Sequence, residues 1–135
     1  MPIMTWDASL DVGVETMNDE HKQILDLMNE IHDRAAAGET GPAMTGLVER
    51  LAQVTIDHFR DEEAYMASID YKGLASHTLI HADLLKKYTA HADAIRANGG
   101  QVPSDFLMFL KLWLTAHIKG IDMKYSPTVP LKMAG

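Results

Sequence analysis

Three short clusters of helix breakers do most to limit the folds open to this chain of 135 residues. They are AGETGP at 37–42, SIDYKG at 68–73 and NGGQVPS at 98–104. Between them apolar residues recur at helical spacing, and alternating strand patterns are absent. A first helix is expected from Thr16 or Asn18 to near Gly38, with TMND offering a capping box of Thr16 and Asp19. A second starts around Pro42, a residue suited to a first helical turn, and runs to about Met66. A third spans about Gly73 to Ala97, stopped by Asn98-Gly99. A fourth follows Pro103, with Ser104 as its cap, and Gly120 ends it. Four helices on short connections predict an all-α fold, an antiparallel up-down-up-down four-helix bundle. The segment around Trp6 and DVGVE reads as an extended N-terminal arm laid on it, and residues 1–135 as one domain.

Composition narrows the function classes. The net charge of −7 and the lack of a basic run argue against nucleic acid. Cysteine is absent, which removes disulfides, thiolate zinc sites and iron–sulfur clusters. The start, MPIMTWDASL, lacks the basic and apolar regions of a signal peptide, and no apolar run reaches membrane-spanning length. The expectation is a soluble, cytoplasmic protein without membrane insertion.

The stretch VTIDHFRDEEAYM, residues 54–66, poses the chemical question. It reads as helix, and His58 and Glu62 continue the apolar row of Leu47, Leu51 and Val54. The other helices do the same. His21 shares a face with Ile24, Leu25, Met28 and Ile31. His77 and His81 lie between Leu74 and the group Leu84, Leu85 and Tyr88. His117 follows Phe106, Leu110 and Trp113. Taken singly, a His-x3-Glu or His-x3-His pair is most often an exposed or half-exposed helix pair, and a lone inward histidine is a core residue with a backbone partner.

The conjunction changes that weighing. Five imidazoles and a carboxylate on inward faces would each cost at least ~1–3 kcal/mol if left without partners. A metal satisfies them together, because pairs one helical turn apart can reach one small volume. Asp122 is less clear. It lies five residues after His117, about 140° around an ideal helix, and would reach the others only if the chain bends at Gly120. Two of the seven histidines keep the ordinary reading, because His32 and His91 are too far along their helices to share a site. Glu63 is rotated about 100° from Glu62, toward solvent or a neighbouring helix edge. Asp61, Lys86 and Lys87 read as a solvated face, and the nine methionines as adaptable core filler. The donors exceed the needs of one first-row metal and suit two bridged by carboxylates. Imidazole alone does not choose among zinc, copper, iron and nickel.

The pieces Trp6, VGVETMNDEHK at 12–22, HFRDEEAYM at 58–66, HTLIH at 77–81 and WLTAHIKGIDMKY at 113–125 resemble the hemerythrin family, specifically bacteriohemerythrins, across nearly the whole chain. Lys72 departs from the proline that the family often has before the third helix. The resemblance implies two non-haem iron ions, Fe2+/Fe3+, one held by His77, His81 and His117 and the other by His21 and His58. Glu62 and Asp122 would bridge them, with an oxo or hydroxo group as third bridge. It implies reversible dioxygen binding for carriage, storage or delivery, the oxygen held as hydroperoxide on the iron with the open position. Phe59, Trp113, Leu114 and Ile118 would line the oxygen pocket. On this reading the protein is not an enzyme, and no catalytic residue is assigned. The alternatives are a di-iron enzyme reducing peroxide or nitric oxide, or oxidising ferrous iron. Others are an oxygen sensor acting through a separate partner and a structural or zinc-binding bundle. The sequence names no oxygen-consuming enzyme or signalling protein as partner.

Overall fold

The computed structural model describes residues 4–120 and 122. Ile121 and residues 123–135, which include the end of the last motif and the C-terminal tail, lie outside the described residues. Among the described residues four helices carry the fold: α1 (Glu15–Ala36), α2 (Pro42–Ser68), α3 (Leu74–Ala97) and α4 (Ser104–Gly120). They form the antiparallel all-α bundle expected from the breaker pattern. α1 packs on α2 and α4, and α2 packs on α3. No described helix is long and apolar enough to cross a membrane.

The start of α1 differs from expectation. The helix begins at Glu15, so Thr16 and Asp19 fall inside its first turns and no side chain caps Val14. Asn18 secures the entry instead. Its amide oxygen accepts from the Val12 N–H at 3.0 Å, and its NH2 group donates to Asp11 at 2.8 Å. The arm laid on the bundle is tied at its junction with α1. It carries a short 3-10 turn at Ala8–Leu10 that packs on α4, and it buries Leu10 and Val12. Met4 exchanges two backbone hydrogen bonds with the Asn29 side chain, and the Lys22 ammonium sits 5.0 Å from the centre of the Trp6 ring.

Backbone closure sets the far end of the bundle. After α3, the Gly99 N–H reaches the Arg96 carbonyl and the Gly100 N–H reaches that of Ile95, a Schellman stop. The Gly41 N–H then donates to the Gly99 carbonyl at 2.8 Å, locking the α1–α2 and α3–α4 turns together. A Cβ on Gly100 would stand 2.5 Å from the Gly41 backbone, so only glycine allows this approach. Pro42 opens α2 as expected, whereas Ser104 is the first residue of α4 rather than a cap outside it. The α2–α3 turn forms with Lys72 exposed.

The apolar phases expected for α1 and α4 hold: Ile24, Leu25, Met28, Ile31, Phe106, Leu110 and Trp113 are all buried. In α2 the deepest row is Met44, Val48, Leu51, Thr55, His58 and Glu62, while Leu47 and Val54 are only half-buried. The reason is that α2 is clasped between α1 and α3, so its buried stripe is wide and its centre shifts. On α3 Leu74, Leu84 and Leu85 flank the core rather than fill it. Tyr88 crosses to α2 and donates from its hydroxyl to the Val48 carbonyl at 2.6 Å, and burial pushes its phenol well above the ordinary range.

Candidate metal centre

One end of the bundle interior is polar. α1 brings His21, α2 His58 and Glu62, α3 His77 and His81, and α4 His117. The chain just beyond α4 brings Asp122. All seven are buried, and Glu62 and Asp122 are 0% exposed. α4 ends at Gly120, and Asp122 meets the cluster despite its helical phase.

The seven side chains fall into two overlapping sets. Glu62, His77, His81, His117 and Asp122 form one, and His21, His58, Glu62 and Asp122 the other; within each set one donor atom per residue lies within 4.8 Å of the rest. The two carboxylates belong to both and divide their oxygens between them. Glu62 Oε1 lies 3.1 Å from His77 Nε2 and 2.9 Å from His81 Nε2, while Oε2 lies 3.6 Å from His21 Nε2 and 3.4 Å from His58 Nε2. Asp122 Oδ1 lies 2.9 Å from both His77 and His117 Nε2, and Oδ2 3.1 Å from His21 Nε2. Each carboxylate thus spans from one set to the other.

Two further carboxylates fix the imidazoles from outside. Glu20 Oε1 lies 2.7 Å from His58 Nδ1, and Glu63 Oε2 lies 2.8 Å from His81 Nδ1. An ionised carboxylate can only accept, so each Nδ1 donates, and in the neutral imidazole each Nε2 then presents a lone pair inward. Those lone pairs meet acceptors. His58 Nε2 faces Glu62 Oε2, and His81 Nε2 lies 3.2 Å from His117 Nε2. Between neutral rings and carboxylates such an arrangement is repulsive unless protons or metal ions lie between the atoms. Glu20 was not singled out in the sequence, and Glu63 was read only as an edge residue. The available signal was adjacency: each neighbours a candidate ligand in sequence, turned about 100° from it.

The electrostatics show the same demand. Burial disfavours charge on His58, but Glu20 and Glu62 together outweigh it and hold the imidazole at about 9. Burial likewise opposes charge on His77, and Asp122 and Glu62 raise it to about 9. His21 is also raised, against its burial, by Asp122 and Glu62. Glu62 is held well below the carboxylate range because four histidines overcome its burial. Asp122 is lowered against both burial and the like charge of Glu62 by His117, His21 and His77. Buried anions surrounded by imidazoles call for positive charge, whether protons or metal ions.

The apolar side chains fall into two groups. Phe59 lies flat on His81, with ring centroids 3.7 Å apart and planes 5° from parallel, and Trp113 meets Phe59 edge-on at 6.1 Å. Leu114 and Ile118 are buried on α4 beside His117. Phe59 and Trp113 line a small cavity, but Leu114 and Ile118 are not among its walls. The ordinary readings hold for His32, which is half-buried beside Asp33, and for His91, which packs on Phe106 and Phe109. Met17, Met28, Met44 and Met66 are core residues.

Residues 12–129 match the family described as the Hemerythrin HHE cation binding domain. The chain is 33% identical over 138 residues to a bacteriohemerythrin of Methylococcus capsulatus, covering 94% of this chain and 97% of that protein. It is 32% identical to a myohemerythrin of Theromyzon tessulatum over 120 residues, covering 89% and 88%. A crystal structure of wild-type hemerythrin superposes with a TM-score of 0.82 at 31% identity, covering 92% of this chain and 95% of that one. The chain belongs to the hemerythrin family. Members of that family are non-haem di-iron proteins that bind oxygen.

Proposed function

We propose that the buried cluster holds two iron ions and that the protein binds dioxygen reversibly, for carriage, storage or delivery. The observation that carries this reading is the division of Glu62 and Asp122, each with one oxygen toward either histidine set. Their donor chemistry fits the group: imidazole suits iron, and the inward nitrogens of His58 and His81, when neutral, face other acceptors. His77, His81 and His117 would hold one iron and His21 and His58 the other. Glu62 and Asp122 would bridge them, together with an oxo or hydroxo group. When bound, the iron pair supplies reversible two-electron chemistry toward dioxygen.

The chain's own residues set the rest. The His21 and His58 side contributes one imidazole fewer, so an exogenous ligand fits there without displacing a side chain. Phe59, Trp113, Leu114 and Ile118 make the surroundings apolar and keep water from the cluster. No carboxyl or imidazole in the cluster is left over as an acid or base for turnover, which favours binding over catalysis. The test is a visible-absorption titration of iron-loaded protein that is reduced without air, exposed to air and then deoxygenated. A coloured form that appears with oxygen and disappears on its removal is expected. Direct conversion to a ferric spectrum would move the reading to peroxide or nitric oxide reduction, or to oxygen sensing.

A further inference from the structure

A second polar feature lies in the core away from the seven donors. A cavity of about 10 Å³ sits among α2, α3 and α4, walled by Thr55, Phe59, Leu84, Leu85, Tyr88, Phe109 and Trp113. Most of that wall is apolar, but Thr55 Oγ1 and Trp113 Nε1 are buried with no hydrogen-bond partner among the described residues. Thr55 is 2% exposed and Trp113 7%, so neither atom is served by bulk solvent. A helical threonine usually returns its hydroxyl to the carbonyl four residues back, and Thr55 does not. Two residues with orphaned polar atoms line one cavity, which is unusual, because buried polar groups in folded proteins nearly always find partners.

The room is about that of a single water molecule, at the lower limit of what a buried water occupies. The two orphaned groups match one. The Trp113 indole N–H can only donate, and Thr55 Oγ1 can accept. Tyr88 supplies a third partner. Its hydroxyl proton goes to the Val48 carbonyl, which leaves the phenol oxygen as an acceptor. We propose that one structural water is bound in this cavity, accepting from Trp113 Nε1–H and donating to Thr55 Oγ1 and the Tyr88 oxygen. Phe59 belongs both to this wall and to the face of His81, so it separates the water from the histidine cluster. The site needs no particular metal and does not rest on the proposed oxygen chemistry.

The test is a set of high-resolution crystal structures of the metal-loaded protein and its Thr55→Val and Thr55→Ser variants, with a further wild-type crystal under krypton pressure. One water peak at ~3 Å from Trp113 Nε1 and Thr55 Oγ1 is expected in the wild type. Thr55→Ser should retain it, and Thr55→Val, of nearly the same shape, should lose it. A wild-type cavity without a peak, or a direct indole hydrogen bond to a protein atom, would overturn the proposal. Krypton in the wild-type cavity would overturn it in favour of an apolar gas site. Retention of the peak in Thr55→Val would also overturn it, because valine offers the water no acceptor.

Discussion

Glu63 on α2 and His81 on α3 meet through a 2.8 Å contact between Oε2 and Nδ1, the counterpart of Glu20 and His58 between α1 and α2. Each pair joins two helices and aims an Nε2 at the centre. Outer carboxylates of this kind raise the basicity of a ligating imidazole and fix its ring, and losing one typically costs about 10–100-fold in metal affinity. Glu63→Gln and Glu20→Gln should therefore retain the fold, shown by unchanged helical circular dichroism. They should release metal to a chelator about 10–100-fold more readily than the wild type. Release at the wild-type rate would mean that these contacts do not tune the centre.

A contrast between two histidines separates ligand from scaffold. His117 contacts Asp122 and His81 inside the cluster, whereas His91 packs on Phe106 and Phe109 outside it. His117→Ala should fall below two irons per chain by elemental analysis, and His91→Ala should keep two. Two irons in both variants would show that the donor set is wrongly assigned.

The sequence exposed the bundle because its two informative signals are local. Breakers such as Asn98-Gly99 act within a few residues, and inward phase is fixed within one helix. The same phase argument reached His21, His58, Glu62, His77, His81 and His117, which the fold does bring together. It failed where position depends on something other than helix phase. Asp122 lies beyond the end of α4 at Gly120, where helix phase no longer decides its place, and resemblance rather than spacing supplied it. Glu20 and Glu63 act across helix interfaces at half-buried positions, where a carboxylate looks like any solvated acid. The capping box failed because α1 already begins at Glu15, which puts Thr16 inside the helix, and Asn18 ties the preceding arm down through its side chain.

The pH dependence of the metal-free protein follows from the direction of the histidine shifts. His58 and His77 rise from 6.5 to about 9 on folding, so the folded state holds their protons more tightly than the unfolded chain. Their contribution to stability is complete below about pH 6.5 and is lost as the pH rises through about 9. Glu62 and Asp122 are shifted the other way, so their contribution is present above their unfolded pKa values of 4.5 and 3.8 and lost on acidification. Metal ions held by these imidazoles would replace the protons, and loading would become more favourable as pH rises. Melting temperatures of the metal-free protein should therefore fall between pH 6.5 and 9, and the gap to the metal-loaded protein should widen. A metal-free melting temperature that stays flat or rises over that window would contradict the charge arrangement described for the cluster.

Leu114 tests the apolar shell. It is buried on α4 one helical turn before His117, where its side chain can exclude water from the cluster. Leu114→Ala removes buried volume and costs about 2–5 kcal/mol of stability, the usual range for a core leucine. Measured under conditions where the variant is fully folded, its iron-loaded, oxygenated form should decay to the ferric spectrum faster than the wild type. The space left would admit water and protons. Leu114→Ile, of equal volume, should decay at close to the wild-type rate, which separates loss of bulk from disturbance of α4. An Ala variant that is destabilised yet decays at the wild-type rate would make Leu114 a packing residue only and leave water exclusion to Phe59 and Trp113.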